Sequence, residues 1–403
     1  MDGILPNIGD LDFQKKIGKV FGKYKITKEL TFKEMCWPSK YTIQDQQKFV
    51  ADFISPKTPY KGLLLCHKIG AGKTCAAIQI AEKWKHHKKI MVVCPASLIG
   101  NFYKELKTKC AKNEYITEKE EKLLAEYGPG TKQYDQLNEV IKKRIDKHYK
   151  IISYNKFMDL SKQNKINLSN YVLIIDEVQN IVSETGVCYQ IFMKEIAKSP
   201  ANTRIIIMSA TPMFDKPVEL ALTINLLRPK NKIPINPEFN RMFLKSVVVN
   251  DYITYKAKNM DKLRSMLQGY ISYYKGAPEH TFPTKSIRYI RAKMSNYQYT
   301  IYKNATKNEG KFTNSNVLEL PNDFFIASRA ASNVCFGAQT KPTKRMLTDD
   351  LEKYSIKFYK ILKAIKKSRQ LNFVYSNFRG EYGIEAFVKA LDANGFYDFG
   401  KHG

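Results

Sequence analysis

The chain has 403 residues, 43% of them hydrophobic, which is enough for two or three domains with packed cores and excludes a disordered tail. Lys and Arg number 67 against 38 Asp and Glu, and the formal net charge is +29. An excess of this size favours a polyanionic partner, with nucleic acid as the first expectation. The alternative is a Lys-rich surface that only keeps the protein in solution.

The seven cysteines are scattered, odd in number and without the paired spacing of metal ligands. We therefore expect neither a zinc site nor a disulfide framework, and a reducing compartment fits this use of cysteine. The first thirty residues mix charges throughout and lack the apolar stretch of a signal peptide. No apolar run approaches membrane-spanning length. The sequence predicts an intracellular protein with no membrane partner.

Apolar runs alternate with amphipathic stretches from Lys61 to about Pro229, a pattern typical of a parallel sheet covered by helices. A charged stretch split by Gly128-Pro129-Gly130 predicts a helical excursion on the surface of this α/β lobe. Five segments are predicted as buried strands, each ending at a turn or a functional loop: GLLLC (62–66), KIMVVC (89–94), KIISY (150–154), YVLIID (171–176) and RIIIMS (204–209).

Beyond Pro229 the pattern loosens, and it predicts only mixed, mainly helical segments as far as about Gln370. LNFVYSN (371–377) is then predicted as a strand, followed by the helix IEAFVKALDAN, which is how a second α/β lobe would begin. The sequence therefore divides into four parts: an N-terminal segment over 1–40, a first lobe over 41–229, a connecting region over 230–365 and an incomplete second lobe over 366–403.

A glycine-rich turn, HKIGAGKT (67–74), separates the first predicted strand from a predicted helix. Backbone N–H groups in such a turn wrap phosphates at the positive end of the helix. Lys73 should reach the β- and γ-phosphates of ATP, and Thr74 should hold Mg²⁺. His67 stands where the strict pattern has glycine, and a chance turn is the alternative. The residues predicted to contact ATP here are Gly70, Ala71, Gly72, Lys73, Thr74 and Cys75.

The segment YVLIIDEVQN (171–180) places two adjacent carboxylates at the end of a predicted strand. Asp176 can bind Mg²⁺ through water, and Glu177 can orient and deprotonate an attacking water. Alone, such a pair is usually a solvated loop end. Together with the upstream phosphate loop it predicts catalysis, with Glu177 and Lys73 as the catalytic residues.

A third segment, RIIIMSATPMFDKP (204–217), ends a predicted strand in Ser209-Ala210-Thr211. The hydroxyl groups of Ser209 and Thr211 can hydrogen-bond the carboxylate loop and so sense whether the γ-phosphate is present. A simple strand-to-turn junction is the alternative. The order of the three motifs favours the nucleotide-dependent role.

The order GAGKT, DEVQ, SAT resembles motifs I, II and III of superfamily 2 helicases and translocases. The resemblance implies a RecA-like ATP-binding lobe, and it makes Gln47 the glutamine that reads adenine, with Gln44 and Gln46 as rivals and a surface glutamine as the alternative. VVCPASLIGNFYKEL (92–106) resembles motif Ia of the Swi/Snf-type branch, and SYNKF (153–157) stands in the place of motif Ib. By that resemblance the residues near a nucleic-acid backbone are Pro95, Ala96, Ser97 and Tyr154.

Four further segments, at 209–229, 269–283, 323–336 and 373–391, resemble the transcription-associated ATPases of large cytoplasmic DNA viruses. Those ATPases are similar to the poxvirus early transcription factor small subunit and nucleoside triphosphatase I. The likeness covers roughly residues 40 to 400. It implies an ATP- and Mg²⁺-dependent helicase or translocase that acts on DNA in preference to RNA. Viral transcription-complex subunits would be its partners, in the virion and the host cytoplasm.

Two departures from the family pattern stand out. Gln179 replaces the His or Asp common at the fourth position of motif II, which bears on how hydrolysis is coupled to nucleic acid rather than on ATP binding. Nothing after Phe378 resembles motifs V and VI, whose arginines approach the γ-phosphate from the second lobe. An arginine of this kind can be worth ~10³ or more in rate. We expect a second chain or a continuation to supply them.

An alternative function is that of a truncated or split gene product that serves as a nucleotide-binding scaffold in a transcription complex. The departure at motifs V and VI favours that alternative, while the intact Lys73, Asp176 and Glu177 count against it. A P-loop kinase of small molecules is disfavoured by the order of the motifs and by the basic charge.

Overall fold

The computed structural model describes residues 5–27, 31–37, 40–249, 252–278, 281–309, 325–336 and 341–398. The chain divides into two compact units. The first consists of Met1–Ser246 and Tyr255–Thr284, and the second of Val247–Thr254 and Lys285–Gly403. The fold is α/β, as predicted, with its parallel sheet in the first unit.

The strands of the described residues are β1 (Gly62–His67), β2 (Lys89–Cys94), β3 (Tyr149–Ser153), β4 (Tyr171–Ile175), β5 (Arg204–Met208), β6 (Leu244–Val249), β7 (Tyr252–Ala257) and β8 (Ile271–Tyr274). Six of them form one sheet in the order β3-β2-β4-β5-β1-β8, and every neighbouring pair in it is parallel. Strands β6 and β7 form a separate two-stranded sheet. All five predicted strands are confirmed, with ends that differ from the prediction by one residue at most.

Both faces of the six-stranded sheet are buried, which explains why its strands are nearly continuous apolar runs. Successive side chains of a strand point to opposite faces. In β1, Leu63 and Leu65 pack into one hydrophobic core while Leu64 packs into the other. The side chains of β2, β4 and β5 alternate between the two cores in the same way.

The first unit contains the helices α1 (Phe13–Val20), α2 (Phe32–Cys36), α3 (Asp45–Phe53), α4 (Lys73–Trp84), α5 (Ile99–Leu106), α6 (Glu118–Tyr127), α7 (Lys132–Asp146), α8 (Tyr154–Lys162), α9 (Val187–Lys198), α10 (Val218–Leu227), α11 (Glu238–Phe243) and α12 (Met260–Leu267). The predicted helical excursion is confirmed as α6 and α7. Thr117 and Thr131 cap the two helices, and Gly128 ends α6 with a φ of 71°. No helix of the described residues is long and apolar enough to cross a membrane.

The second unit contains the helices α13 (Asn296–Asn308), α14 (Ile326–Asn333), α15 (Lys344–Leu347), α16 (Leu351–Tyr354), α17 (Ile356–Lys367) and α18 (Ile384–Ala393). Its core includes the rings of Phe358 and Phe387, whose centroids are 5.1 Å apart. The buried amide of Gln298 ties three helices together, because it donates to the Ala331 carbonyl and accepts from the Ile356 N–H, at 3.0 and 3.3 Å.

The predicted strand over 371–377 is wrong. The segment has no regular secondary structure, and no strand of the described residues pairs with it. Val374 packs against the core of the second unit, whereas Phe373 is 91% exposed. Alternating apolar residues make a strand only when a neighbour satisfies the backbone N–H and C=O groups. The helix predicted after this segment is confirmed as α18.

The sheet contains a strand, β8, that falls inside the region predicted to be a connecting segment. It pairs in parallel with β1, from Leu64 opposite Ile271 to His67 opposite Tyr274. The first unit therefore continues past the boundary that the sequence placed at Pro229. The run ISYY is only four residues long and none of its side chains is fully buried, so its pattern did not indicate a strand at the edge of the parallel sheet.

Cys75 and Cys110 form a disulfide, with Cα atoms 5.5 Å apart. The expectation of no disulfide was wrong for this pair. The two cysteines are 35 positions apart, and they meet because α4 packs against the turn Lys109–Ala111 that follows α5. Spacing in the sequence does not reveal such pairs, since connectivity depends on how distant segments pack.

Reduction of this disulfide is expected to destabilise the first unit by about 2–4 kcal/mol, because a bridge that closes a loop of this length restricts the unfolded chain. The measurement is thermal unfolding followed by circular dichroism, with and without a thiol reductant. Cys110→Ser should melt at the lower temperature in both conditions. Cys188→Ser changes a free cysteine and should keep the reductant effect of the unaltered protein. The same melting temperature of the unaltered protein with and without the reductant would contradict the expectation.

Candidate functional site

The loop between β1 and α4 is shaped by two glycines. Gly70 and Gly72 have φ angles of 79° and 69°, in the left-handed region that side chains other than glycine's rarely adopt. A Cβ atom at Gly72 would lie 2.5 Å from Nε2 of Gln47. Helix α4 begins at Lys73, so the unpaired N–H groups of its first turn adjoin the loop. This combination fits the phosphates of a nucleotide.

Gln47 lies buried against this loop. Its Nε2 donates to the carbonyl oxygen of Gly72 at 3.1 Å, and its Oε1 accepts from the N–H of Gln44 at 2.9 Å. The rival Gln44 is exposed and Gln46 half-buried. The structure therefore joins Gln47 to the phosphate loop, while its recognition of adenine stays a prediction.

Other predicted nucleotide contacts occupy the start of α4. Ala71 is buried in the loop, and Lys73 and Thr74 are half-buried in the first turn of the helix. Cys75 is buried and its sulfur is bonded to that of Cys110, so the side chain is not available to the loop. A nucleotide contact of Cys75 could therefore come only from its backbone.

The two carboxylates follow β4, which β5 separates from the strand that leads to the phosphate loop. Asp176 is buried, and its Oδ1 accepts from the N–H of Glu177 at 2.9 Å. Burial, and then the charge of Glu177, raise the pKa of Asp176 to about 6, while that hydrogen bond and the charge of Lys73 oppose the rise. Burial disfavours the ionised form of this carboxylate, and a nearby cation favours it. Such a carboxylate suits a ligand to a divalent cation.

Glu177 itself has a φ of 52°, in the left-handed region, where residues other than glycine carry a cost of about 1–3 kcal/mol. Its side chain is held by Gln179, whose Nε2 donates to Oε2 of Glu177 at 2.6 Å. Ser209, fully buried after β5, donates to Oε1 of Gln179 at 2.7 Å. These contacts form a chain of hydrogen bonds from Ser209 through Gln179 to Glu177.

The predicted hydrogen bond from Ser209 to the carboxylate loop is present, and its partner there is Gln179, the residue that departs from the family pattern. Gln179 in turn connects Ser209 to Glu177. Thr211 is exposed, and its backbone N–H donates to the Ser209 hydroxyl at 3.0 Å. Sensing of the γ-phosphate by Ser209 and Thr211 stays a prediction.

The residues predicted to adjoin nucleic acid lie at two strand ends. Pro95 follows β2, and Ala96 and Ser97 after it are exposed in a 3-10 turn. Tyr154 opens α8 after β3 and is half-buried. Its hydroxyl donates to the carbonyl oxygens of Asp176 and Glu177, the second at 3.0 Å. Contact of these four residues with nucleic acid stays a prediction.

His67 was singled out only as a departure from the glycine pattern, yet it occupies a specific place. The ring is fully buried, with Nε2 3.0 Å from Oγ of Ser272 in β8 and the ring of Tyr274 edge-on to it. Burial, and then the charge of Lys73, lower the pKa of His67 to about 4. A neutral imidazole therefore joins the start of the phosphate loop to β8.

A parallel sheet, a glycine loop entering a helix and a carboxylate pair after another strand of that sheet define a RecA-like P-loop lobe. Residues 45–369 match the family model of the SNF2-related domain. The chain therefore belongs to the SNF2-related family of helicase-like proteins.

The chain is similar to several proteins of large DNA viruses. It is 45% identical, over 98% of its length and 72% of the relative's, to R563 of Acanthamoeba polyphaga mimivirus, whose name assigns it to the ATP-dependent RNA helicases. It is 27% identical to a mimivirus protein with the same kind of name, L377, across 94% of this chain and 41% of that relative. The termination factor NPH-I homolog of African swine fever virus is 25% identical to this chain, across 83% of this chain and 49% of that relative. The chain thus spans less than half of the last two relatives.

Among solved structures, the Sulfolobus solfataricus SWI2/SNF2 ATPase core in complex with dsDNA is 15% identical, with a TM-score of 0.36. The match covers 79% of this chain and 62% of that one. The architecture of the sheet is established by the order and parallel pairing of this chain's own strands.

The buried His67 should make folding sensitive to acid. Because its pKa is lower in the folded protein than in the unfolded chain, the unfolded chain takes up the proton first, and stability is lost as pH falls from about 6.5 towards 4. The expected loss is about 3 kcal/mol. Chemical unfolding at pH 7 and pH 4 measures it, and His67→Gln should remove that part of the pH dependence. His86→Gln, at an exposed histidine, should leave it unchanged.

Gly72→Ala should weaken binding of a fluorescent ATP analogue about tenfold or more, because alanine resists the left-handed conformation and its Cβ would meet Gln47. Gly100→Ala is the matched control, since a Cβ atom there meets no atom within 4 Å. Equal binding by the two variants, measured by fluorescence titration, would contradict the assignment of the loop.

Proposed function

We propose that the chain is an ATP-dependent helicase or translocase that moves on DNA as part of a viral transcription apparatus. The observation that carries the proposal is the chain of hydrogen bonds from Ser209 through Gln179 to Glu177, which joins the third motif to the carboxylate loop. A P-loop that only held a nucleotide would need no side chain to orient a carboxylate beside it. The family match supports the helicase class.

In the proposed binding mode, the backbone N–H groups from Gly70 to Thr74 hold the phosphates, and Lys73 neutralises the charge on the β- and γ-phosphates. Thr74 and Asp176 would hold Mg²⁺, which supplies further neutralisation of phosphate charge. Asp176 suits this place because burial makes its carboxylate costly to ionise without a cation nearby.

In the proposed hydrolysis step, Glu177 orients a water molecule for attack on the γ-phosphorus and accepts its proton. The Gln179 amide holds one carboxylate oxygen of Glu177, which leaves the other free for the water. Ser209 fixes the Gln179 side chain from β5. A movement of the third motif would therefore change the orientation of Glu177, and this provides a route between hydrolysis and movement along nucleic acid.

The net charge of +29 supports a nucleic-acid track, since Lys and Arg gain affinity by displacing counterions from the phosphate backbone. The exposed turn at Pro95, Ala96 and Ser97 supplies a contact surface at the carboxyl edge of the sheet. The NPH-I homolog among the relatives supports a role in transcription. We extend the proposal to viral transcription-complex subunits as partners and to the virion and host cytoplasm as the location.

The test is ATP hydrolysis by the purified chain, measured with no nucleic acid, with DNA and with RNA. DNA should stimulate turnover more than RNA does. Glu177→Gln should reduce turnover by about 10²–10⁴-fold, the usual contribution of a general base, while the Kd for ATP stays within about twofold. Glu184→Gln, at a carboxylate seven positions further along the chain, should keep full activity.

Each other outcome has a distinct meaning. Stronger stimulation by RNA would replace the DNA track with an RNA track. ATP binding without turnover in any condition would overturn the motor and support the nucleotide-binding scaffold in its place.

A further inference from the structure

The turn that carries Asp176 and Glu177 is held by the side chain of Tyr154, the first residue of α8. The sheet order places β2 between β3 and β4, so Tyr154, the first residue after β3, reaches past the end of β2 to the turn after β4. Its single O–H group donates to two acceptors, the carbonyl oxygens of Asp176 and Glu177.

The backbone at this place needs such support. Glu177 has a φ of 52°, a conformation that a residue with a side chain keeps only when its surroundings hold it there. The Glu177 carbonyl also accepts from the N–H of Asn180 at 3.0 Å. The Tyr154 hydroxyl therefore acts on the same two peptide groups that set the direction of the Glu177 side chain.

The phenol is itself fixed. Its ring packs edge-on against Phe192, with centroids 6.3 Å apart, and Phe192 stacks on Phe157. A rigid ring suits a positioning group.

We propose that Tyr154 is a positioning residue for hydrolysis, whose hydroxyl holds the Asp176-Glu177 turn in the conformation that aims Glu177 at the attacking water. The inference rests on the proposed ATP hydrolysis. It assigns to Tyr154 a role in the chemical step that is distinct from a contact with nucleic acid.

Tyr154→Phe removes the hydroxyl and keeps the ring. Turnover should fall about tenfold, the effect of one lost hydrogen bond on the transition state, while the KM and Kd for ATP stay within about twofold. The loss should be equal with and without DNA. Tyr149→Phe is the matched control, because it removes another buried hydroxyl, one in the strand β3 just before Tyr154 that donates to Glu82 at 2.6 Å. It should keep wild-type turnover.

A second measurement does not depend on hydrolysis. Hydrogen exchange followed by mass spectrometry should show several-fold faster exchange in the peptide that contains 176–180 in Tyr154→Phe, and no change there in Tyr149→Phe. If the unaltered chain hydrolyses no ATP while exchange rises as expected, the proposed function fails and the support of the turn by Tyr154 stands.

Three results would overturn the inference. The first is unchanged exchange at 176–180, which would mean that the hydroxyl does not hold the turn. The second is a raised Kd for ATP with unchanged turnover at saturation, which would place the effect in nucleotide binding. The third is a loss of turnover only in the presence of DNA, which would assign the hydroxyl to the nucleic acid.

Discussion

The parallel pairing of β4 with β5 and of β5 with β1 decides where chemistry can occur in this protein. Parallel strands end at the same edge of a sheet, so the loops that follow them meet there. Ile175 lies opposite Ile207, and Leu65 opposite Met208, which brings Asp176 and Ser209 to adjacent strand ends. A shift of one residue would turn every buried side chain of a strand to the other face and would separate Ser209 from Gln179. The contacts at Glu177 depend on this register.

The parts that the sequence predicted well are those in which a single segment carries both structure and chemistry. The run GLLLC must be buried, and the turn after it needs the glycines at Gly70 and Gly72, so strand, loop and helix could be placed together. The contacts that the sequence did not indicate join distant segments. The Cys75–Cys110 bond and the reach of Tyr154 to Asp176 depend on packing that no local pattern encodes.

Two aromatic segments show why local pattern alone is insufficient for strands. LNFVYSN is longer than ISYY and contains more apolar residues, yet only ISYY forms a strand. The difference lies in the available partner, since β1 offers an edge to ISYY and no strand of the described residues offers one to LNFVYSN. The available backbone hydrogen bonds therefore decided which segment became a strand, and the side-chain pattern did not distinguish the two.

The late position of β8 in the chain also affects how the protein is made. Strand β1 is flanked by β5 and β8, but β8 emerges from the ribosome about two hundred residues after β1. Even after β5 has been made, the strand that leads into the phosphate loop keeps one open edge until β8 is made, and His67 lacks its Ser272 partner. Closure between such distant segments is slow, and an open parallel edge invites pairing with other chains. Nascent chains of this protein should therefore depend on chaperones until Ile271–Tyr274 has been synthesised.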